Sequence, residues 1–404
     1  MKRTLLNMNI AAAILALSTA GTASAAEFMD GKIKIGGAAM QSWQTGIEVD
    51  GAAKTAGDTE ADSAFQRMRF ALSINAQVAE NVSVFAELAE EPNDWNNGSA
   101  AISQDLAWIQ FDLPNNTGVR LGNVVSTTQN FIRYSDGAAV QSNPFVGNGI
   151  TDMITAEEGL WAYGSHNLES GTNVTWDAVL ATPDFFTDFS PGHGYNLGLR
   201  GTVNLDGGLS FGAGTFKTNH DLSAVAGKPF GSLIAIGDGD NYQFATTAPS
   251  ARATHPLIVP GVDAFVWQAD VQYKTNNFLI HALYGEAEDD YSWAGGQGSL
   301  ETSYVEAKSK MEFWAVEGKF DISNEFYVAA RYGEVTNKSA GVSGPNKSDR
   351  IQLGAGFWLN DATLFKAEYV KQEEEQFSGG ATVDSSVAGG SDWDGFIVEA
   401  SVTF

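Results

Sequence analysis

The sequence has no cysteine, only 10 prolines among its 404 residues, and 23 lysines plus arginines against 49 aspartates plus glutamates. Without cysteine a chain can hold neither a disulfide framework nor a thiolate metal site. The formal charge of −26 excludes a general nucleic-acid binder, because phosphate recognition needs a basic surface. No apolar run reaches 18 residues, so a transmembrane helix is excluded. The five histidines, His166, His193, His220, His255 and His281, are scattered and lack the His-Glu-x-x-His spacing of a zinc site. No Gly-x-Ser-x-Gly elbow or phosphate-cradling glycine loop occurs. Gly237-Asp238-Gly239-Asp240-Asn241 is rich in oxygen ligands but lacks the distal glutamate of a calcium loop, and reads as a turn. No enzyme, catalytic residue, cofactor or metal is expected.

What the sequence does contain is apolar and aromatic. Hydrophobic residues make up 43%, with 24 Phe, 11 Tyr and 10 Trp, too many for a disordered acidic chain. Residues 1–25 read as a secretory leader. Lys2 and Arg3 give a basic start, 10–17 are apolar, and Ala23-Ser24-Ala25 fits a cleavage site. Cleavage there leaves 26–404 as one domain and, by removing Lys2 and Arg3, takes −26 to −28.

Along 26–404 the dominant signal has period two. Phe396, Val398, Ala400, Val402 and Phe404 share one face, and Ile397, Glu399, Ser401 and Thr403 the other. Met68, Phe70, Leu72, Ile74, Ala76 and Val78 alternate in the same way with Arg67, Arg69, Ala71, Ser73, Asn75 and Gln77. Such alternation predicts strands with one apolar and one wet face. Sixteen are predicted, at 31–43, 64–78, 82–90, 103–113, 117–125, 158–166, 171–181, 194–205, 208–217, 262–274, 277–287, 309–321, 325–336, 349–359, 362–373 and 394–404.

Their connections alternate between short and long without a break. Short links such as Pro114-Asn115-Asn116, Asp206-Gly207, Thr275-Asn276 and Asn360-Asp361 use tight-turn residues. Long links fall near 44–63, 91–102, 126–157, 182–193, 218–261, 288–308, 337–348 and 374–393. A soluble sandwich has no reason to gather every short turn at one end, whereas a transmembrane barrel does. The predicted fold is therefore an all-β, 16-stranded antiparallel transmembrane barrel, with a lumen wide enough for water. Trp267, Tyr273, Phe278, Tyr284, Trp314, Phe320, Phe326, Tyr332, Phe357, Phe365, Tyr369 and Phe396 are expected outward, as headgroup-level girdles.

In this architecture the chain resembles a Gram-negative outer-membrane porin. Asp30-Gly31-Lys32-Ile33-Lys34-Ile35-Gly36-Gly37, Arg67-Met68-Arg69-Phe70 and Gly118-Val119-Arg120-Leu121-Gly122 are similar to segments of the phosphate-selective porin O and P family. The chain departs from that family after Gly122, where Asn123-Val124-Val125-Ser126 replaces a basic residue and proline, so the ligand does not carry over. The resemblance implies a third loop folded into the barrel (126–157), a terminal Phe404 read by the assembly machinery, and a homotrimer latched by a loop containing Trp95, Asn96 and Asn97. It also implies the cell outer membrane, with lipids and lipopolysaccharide as neighbours and no nucleic-acid partner.

The expected function is a water-filled channel for passive diffusion of small hydrophilic solutes and ions. The alternative is a substrate-specific channel for an anion or oligosaccharide, and a further one an outer-membrane enzyme or adhesin that the barrel only anchors. Candidate pore residues are Lys34, Arg67, Arg69, Arg120, Arg133, Asp136, Asp152 and Glu157. Arg67, Arg69 and Arg120 facing Asp136, Asp152 and Glu157 would set a transverse field across the constriction; the alternative is that each is an ordinary solvated lumen residue. Further inward candidates are Arg200, Lys274, Lys319, Arg331, Arg350 and Lys366, with Glu87, Asp112, Asp177, Asp270, Glu317 and Glu368. Charge facing lipid costs on the order of 2–4 kcal/mol for Arg or Lys at mid-depth. Phe85, Trp108, Tyr327 and Trp358 also fall inward, either as a track for sugars or as packing for the folded-in loop. Acidic external loops favour cations and a basic constriction opposes them, and the sequence leaves that competition open.

Overall fold

The structure is a computed structural model that describes residues 26–44, 48–50, 64–65, 68–90, 102–125, 140–149, 156–168, 171–183, 194–219, 234–235, 258–259, 263–293, 304–338, 347–374 and 392–404. Sixteen long strands run in chain order: β1 (Ile33–Gln44), β2 (Arg69–Ala79), β3 (Val82–Glu90), β4 (Ser103–Leu113), β5 (Thr117–Val125), β6 (Ala156–Asn167), β7 (Asn173–Pro183) and β8 (Tyr195–Asn204). They continue as β9 (Leu209–Asn219), β10 (Ala264–Lys274), β11 (Phe278–Trp293), β12 (Tyr304–Asp321), β13 (Phe326–Asn337), β14 (Lys347–Asn360), β15 (Thr363–Glu374) and β16 (Asp392–Thr403). Each pairs antiparallel with its neighbour in sequence. The sheet closes where β16 pairs with β1, from Ala38↔Thr403 to Gln44↔Ile397. Phe404 seals the seam, its amide and carbonyl bonding to Gly37 at 3.0 and 2.8 Å and its ring stacking on Phe70 at 6.2 Å.

Closure follows from the medium. In hydrocarbon an unpaired backbone group has no water to bond, so a spanning sheet cannot keep an edge. Alternation then sorts the side chains. On β14, Ile351, Leu353 and Phe357 are exposed while Arg350 and Gln352 are buried. On β16, Phe396, Val398 and Val402 are exposed and Ile397, Glu399, Ser401 and Thr403 buried. Outward aromatics form two rings. Register pairs Phe278 with Phe320 and Phe357 with both Phe326 and Phe365 near the short-turn end. Six residues away along β11, β12 and β13, or about 20 Å of strand, lie Tyr284, Trp314 and Tyr332, with Trp314–Tyr332 ring centroids 5.0 Å apart. These are the girdles where barrels meet lipid headgroups.

The observed strands differ from the predicted ones mainly at the long-loop end. Residues 288–308 were expected as a loop, yet β11 runs to Trp293 and β12 starts at Tyr304, with a register shift between Asp289 and Tyr291. Beyond the girdle the outward alternation is carried by charge rather than apolarity, so hydrophobic period two fades while pairing persists. Lys310 bonds Glu286 at 3.1 Å and Glu288 at 2.7 Å across the two strands. The strand predicted over 64–78 begins its long pairing only at Arg69, with Ala64–Phe65 a separate short bridge to β1.

The short turns show the backbone reason for their residues. Asn115 and Asn116 adopt φ of 62° and 55°, and Gly207 and Gly208 φ of 89° and 90°, the left-handed region that Gly and Asn tolerate. A Cβ on Gly207 would meet open space, whereas one on Gly208 would run into the Lys274 carbonyl oxygen. Gly207→Ala is expected to cost about 1 kcal/mol and Gly208→Ala distinctly more, measured by urea unfolding in bilayers. Equal costs would show that the turn relaxes around Gly208.

Candidate functional site

The third long connection enters the barrel. Residues 140–149 lie buried inside it, with Asn143, Phe145, Val146 and Asn148 at or near zero exposure. They are held by the inner faces of β13–β16 and β1. The Lys366 ammonium donates to the carbonyls of Val140 at 2.8 Å and Phe145 at 2.9 Å, and pairs with Glu399 at 3.0 Å. The Glu368 carboxylate accepts the amides of Val146 at 2.7 Å and Gly147 at 2.9 Å. Arg350 donates to the Asn148 carbonyl at 3.0 Å, and Arg331 to Asn143 Oδ1 at 3.0 Å while its guanidinium lies 4.4 Å from the Phe145 ring. Gln141 donates to the carbonyls of Ala362 and Ser401.

A loop inside a barrel must lose its water, so each buried carbonyl and amide needs a protein partner. The inward charges of three adjacent strands supply those partners. Packing completes the seat: Phe145 clusters with Tyr327, Ala329 and Leu364, with Trp358 against them, and Val140 sits on Ala38 and Met40. Gly354 gives Phe145 its space, since a Cβ there would fall 3.0 Å from the ring. Tyr327 also donates to the Pro144 carbonyl at 3.1 Å. Tyr327 and Trp358 therefore serve the loop.

The other arc of the wall is built differently. Arg120 on β5 stands 4.8 Å from the rings of Trp108 and Trp161 and 5.3 Å from Tyr163, and its Nε donates to Gln110 Oε1 at 2.8 Å. Phe85 stacks on Trp108 at 4.2 Å, and Trp161 Nε1 donates to Asp177 at 3.0 Å. Between the two arcs Arg200 grips Asp270 through contacts of 2.7 and 2.9 Å, with His281 3.6 Å from the same carboxylate. Arg331 likewise holds Glu317 at 2.6 and 2.8 Å.

By alternation the described inner face carries nine cations: Lys34, Arg69, Arg120, Arg200, Lys274, Lys319, Arg331, Arg350 and Lys366. The inward acids among the described residues are Glu27, which faces Lys34 across the pairing, with Glu87, Asp112, Asp177, Asp270, Asp289, Glu317, Asp321, Glu368 and Glu399. Both signs line the described part of the wall.

The predicted pore residues fall as follows. Arg69 and Arg120 are inward and buried, three strands apart on β2 and β5. Lys34 is inward but more than half exposed near the β1 start, pairing with Glu27 at 3.1 Å. Arg67, Arg133, Asp136 and Asp152 lie outside the described residues, as does the side chain of Glu157, whose backbone pairs with Val124 and Pro183. The Trp95, Asn96 and Asn97 latch also lies outside them. Sequence reading missed the amides that help seat the loop, Gln141, Asn143 and Gln352; their only signal was polarity at inward or loop positions. Lys366→Met is expected to lower stability by about 3–5 kcal/mol, because Glu399 stays buried without its partner, and to add current noise as the loop loosens. Lys366→Met with Glu399→Leu should recover stability but not quiet the noise; a quiet channel in both variants would show that Lys366 does not hold the loop.

The comparisons agree with this geometry. The Gram-negative porin family profile matches residues 11–376. No curated protein sequence matches the chain. Among solved structures, OmpT of Vibrio cholerae superposes with a TM-score of 0.55 at 12% identity, covering 95% of this chain and all of that one. The outer membrane channel DcaP of Acinetobacter baumannii gives 0.53 at 12%, covering 94% and 100%. The anion-selective porin from Comamonas acidovorans gives 0.52 at 13%, covering 92% and 99%. With a closed 16-stranded wall, a polar lumen and a third loop seated inside it, the chain belongs to the Gram-negative porin family, as a channel for small solutes in the cell outer membrane.

Proposed function

We propose that this channel works by passive diffusion of small hydrophilic solutes and ions, without a dedicated substrate site. The observation that carries this is the wall's pairing. Arg200 is spent on Asp270, Arg331 on Glu317, and Lys366 on Glu399 and the loop. A ladder for one anion needs like charges free along the path, and cations held in pairs such as these do not offer one.

The constriction is proposed to lie beside the seated loop, with Lys34, Arg67, Arg69 and Arg120 on the wall and Arg133, Asp136, Asp152 and Glu157 on or next to the loop. Separated opposite charges there would orient dipolar solutes even where their sum is zero. Nothing in this reading requires bond-making chemistry. Residues 1–25 act as a leader removed before insertion.

The working unit is proposed to be a homotrimer. One of the similar solved structures is described as the trimer form of Vibrio cholerae OmpT. The outward side chains of β1 at Gly37, Ala39 and Gln41 are small or polar where β11–β13 carry girdle aromatics. That arc suits contact with another protein copy better than with lipid. Lipopolysaccharide would then meet the aromatic arc, at the charged strand ends above Tyr284 and Trp314.

Planar-bilayer recording of the purified protein tests both parts. Large ohmic steps that close under voltage in three equal sublevels are expected, with no saturation by any one solute class. Single-level closure would contradict the trimer. Saturable block by one anion or oligosaccharide would favour the substrate-specific channel, and absence of current from folded protein would favour the anchoring reading.

A further inference from the structure

From β8 to β13 the inward side chains form a row of ionisable groups around the wall. Arg200 on β8 holds Asp270 on β10 through contacts of 2.7 and 2.9 Å. It crosses β9 at Gly212, where a Cβ would fall 2.4 Å from the guanidinium. Arg331 on β13 holds Glu317 on β12 at 2.6 and 2.8 Å. His281 on β11 stands between the two pairs. Its Nε2 lies 3.6 Å from the Asp270 carboxylate, and the strand register sets it directly opposite Glu317. The row runs cation, anion, imidazole, anion, cation.

His281 is also central in height. Along β11 it lies midway between Phe278 of the lower girdle and Tyr284 of the upper, about 10 Å of strand from each. Among the described residues it is the one histidine on the lumen face, since His166 on β6 alternates outward. The charged groups facing it from neighbouring strands are Asp270 and Lys274 on β10 and Glu317 and Lys319 on β12. On its own strand it is flanked inward by Leu279 and Leu283, both buried. The seated segment 140–149, which Arg331 reaches at Asn143 and Gly147, has no ionisable side chain.

Carboxylates, ammonium groups and guanidinium groups ordinarily keep their charge between about pH 5 and pH 8, whereas imidazole is the side chain that changes charge there. The two arginines and two carboxylates of the row offset one another, so a proton taken up by the imidazole becomes the row's net charge. Charge fixed on the wall of a confined aqueous path raises the local concentration of counter-ions and lowers that of co-ions. We infer that His281 is a proton-operated selectivity residue, whose protonation at mid-depth shifts the channel's ion preference from cations towards anions. The inference rests on the passive-channel reading.

The test is the reversal potential of the purified protein in a planar bilayer under a KCl gradient, at about pH 8 and about pH 5.5. The K⁺ to Cl⁻ permeability ratio is expected to fall about twofold on acidification. H281Q keeps a polar side chain that takes up no proton and should lose most of that fall; whatever it retains reports groups elsewhere in the chain. H281K, charged at both pH values, should give the acid ratio throughout. If H281K does not insert, H281Q alone decides. An equal fall in the unsubstituted protein and H281Q, or no fall in the unsubstituted protein, would overturn the inference while leaving the channel intact. Absence of current from folded unsubstituted protein would instead count against the channel reading.

Discussion

Every backbone amide that crosses hydrocarbon has to find a protein partner there, and a sheet satisfies that demand only by closing on itself. The rest of this molecule follows from the closure. Once β16 meets β1, each strand has one face toward lipid and one toward the lumen. Lipid tolerates Leu353 or Phe357 and penalises charge, so inward positions such as Arg331, Arg350 and Lys366 collect the charged side chains. Those side chains are crowded into a confined space and bond with one another and with whatever chain enters it.

The third loop exploits that crowding. A loop folded into a lumen leaves bulk water, and its carbonyls and amides would be costly unless bonded. The interior charges already present answer the need. Lys366 takes two carbonyls, Glu368 takes two amides, and Arg350 takes the carbonyl of Asn148. Lys366 is at the same time paired with Glu399 at 3.0 Å, and Arg331 with Glu317 at 2.6 Å. One set of residues thus lines the lumen and seats the loop inside it.

Much of this was legible in the sequence because period two is a local signal. Phe396, Val398 and Val402 announce an outward face by themselves, and the Asn-rich turns mark strand ends within a few residues. The inward placement of Arg331, Arg350, Lys366 and Glu368 could be read by the same rule. Their partners could not, since Lys366 reaches Val140 across 226 residues and Gln141 reaches Ser401 across 260. The extension of β11 and β12 past the girdle was also illegible, because Glu286, Glu288, Lys308 and Lys310 alternate in charge rather than in apolarity. Of the inward aromatics, Tyr327 and Trp358 proved to seat the loop, while Phe85 and Trp108 pack with each other near Arg120.

The claim on which the account turns is that wall charges hold the backbone of 140–149 inside the barrel. Amide hydrogen exchange on the protein in lipid, followed by peptide mass spectrometry, reads that backbone directly. Slow exchange at Val146 and Gly147, comparable with the strands that seat them, is the expected result. Exchange at the rate of an exposed loop would show that the segment spends its time in water and that the lumen charges do not hold it.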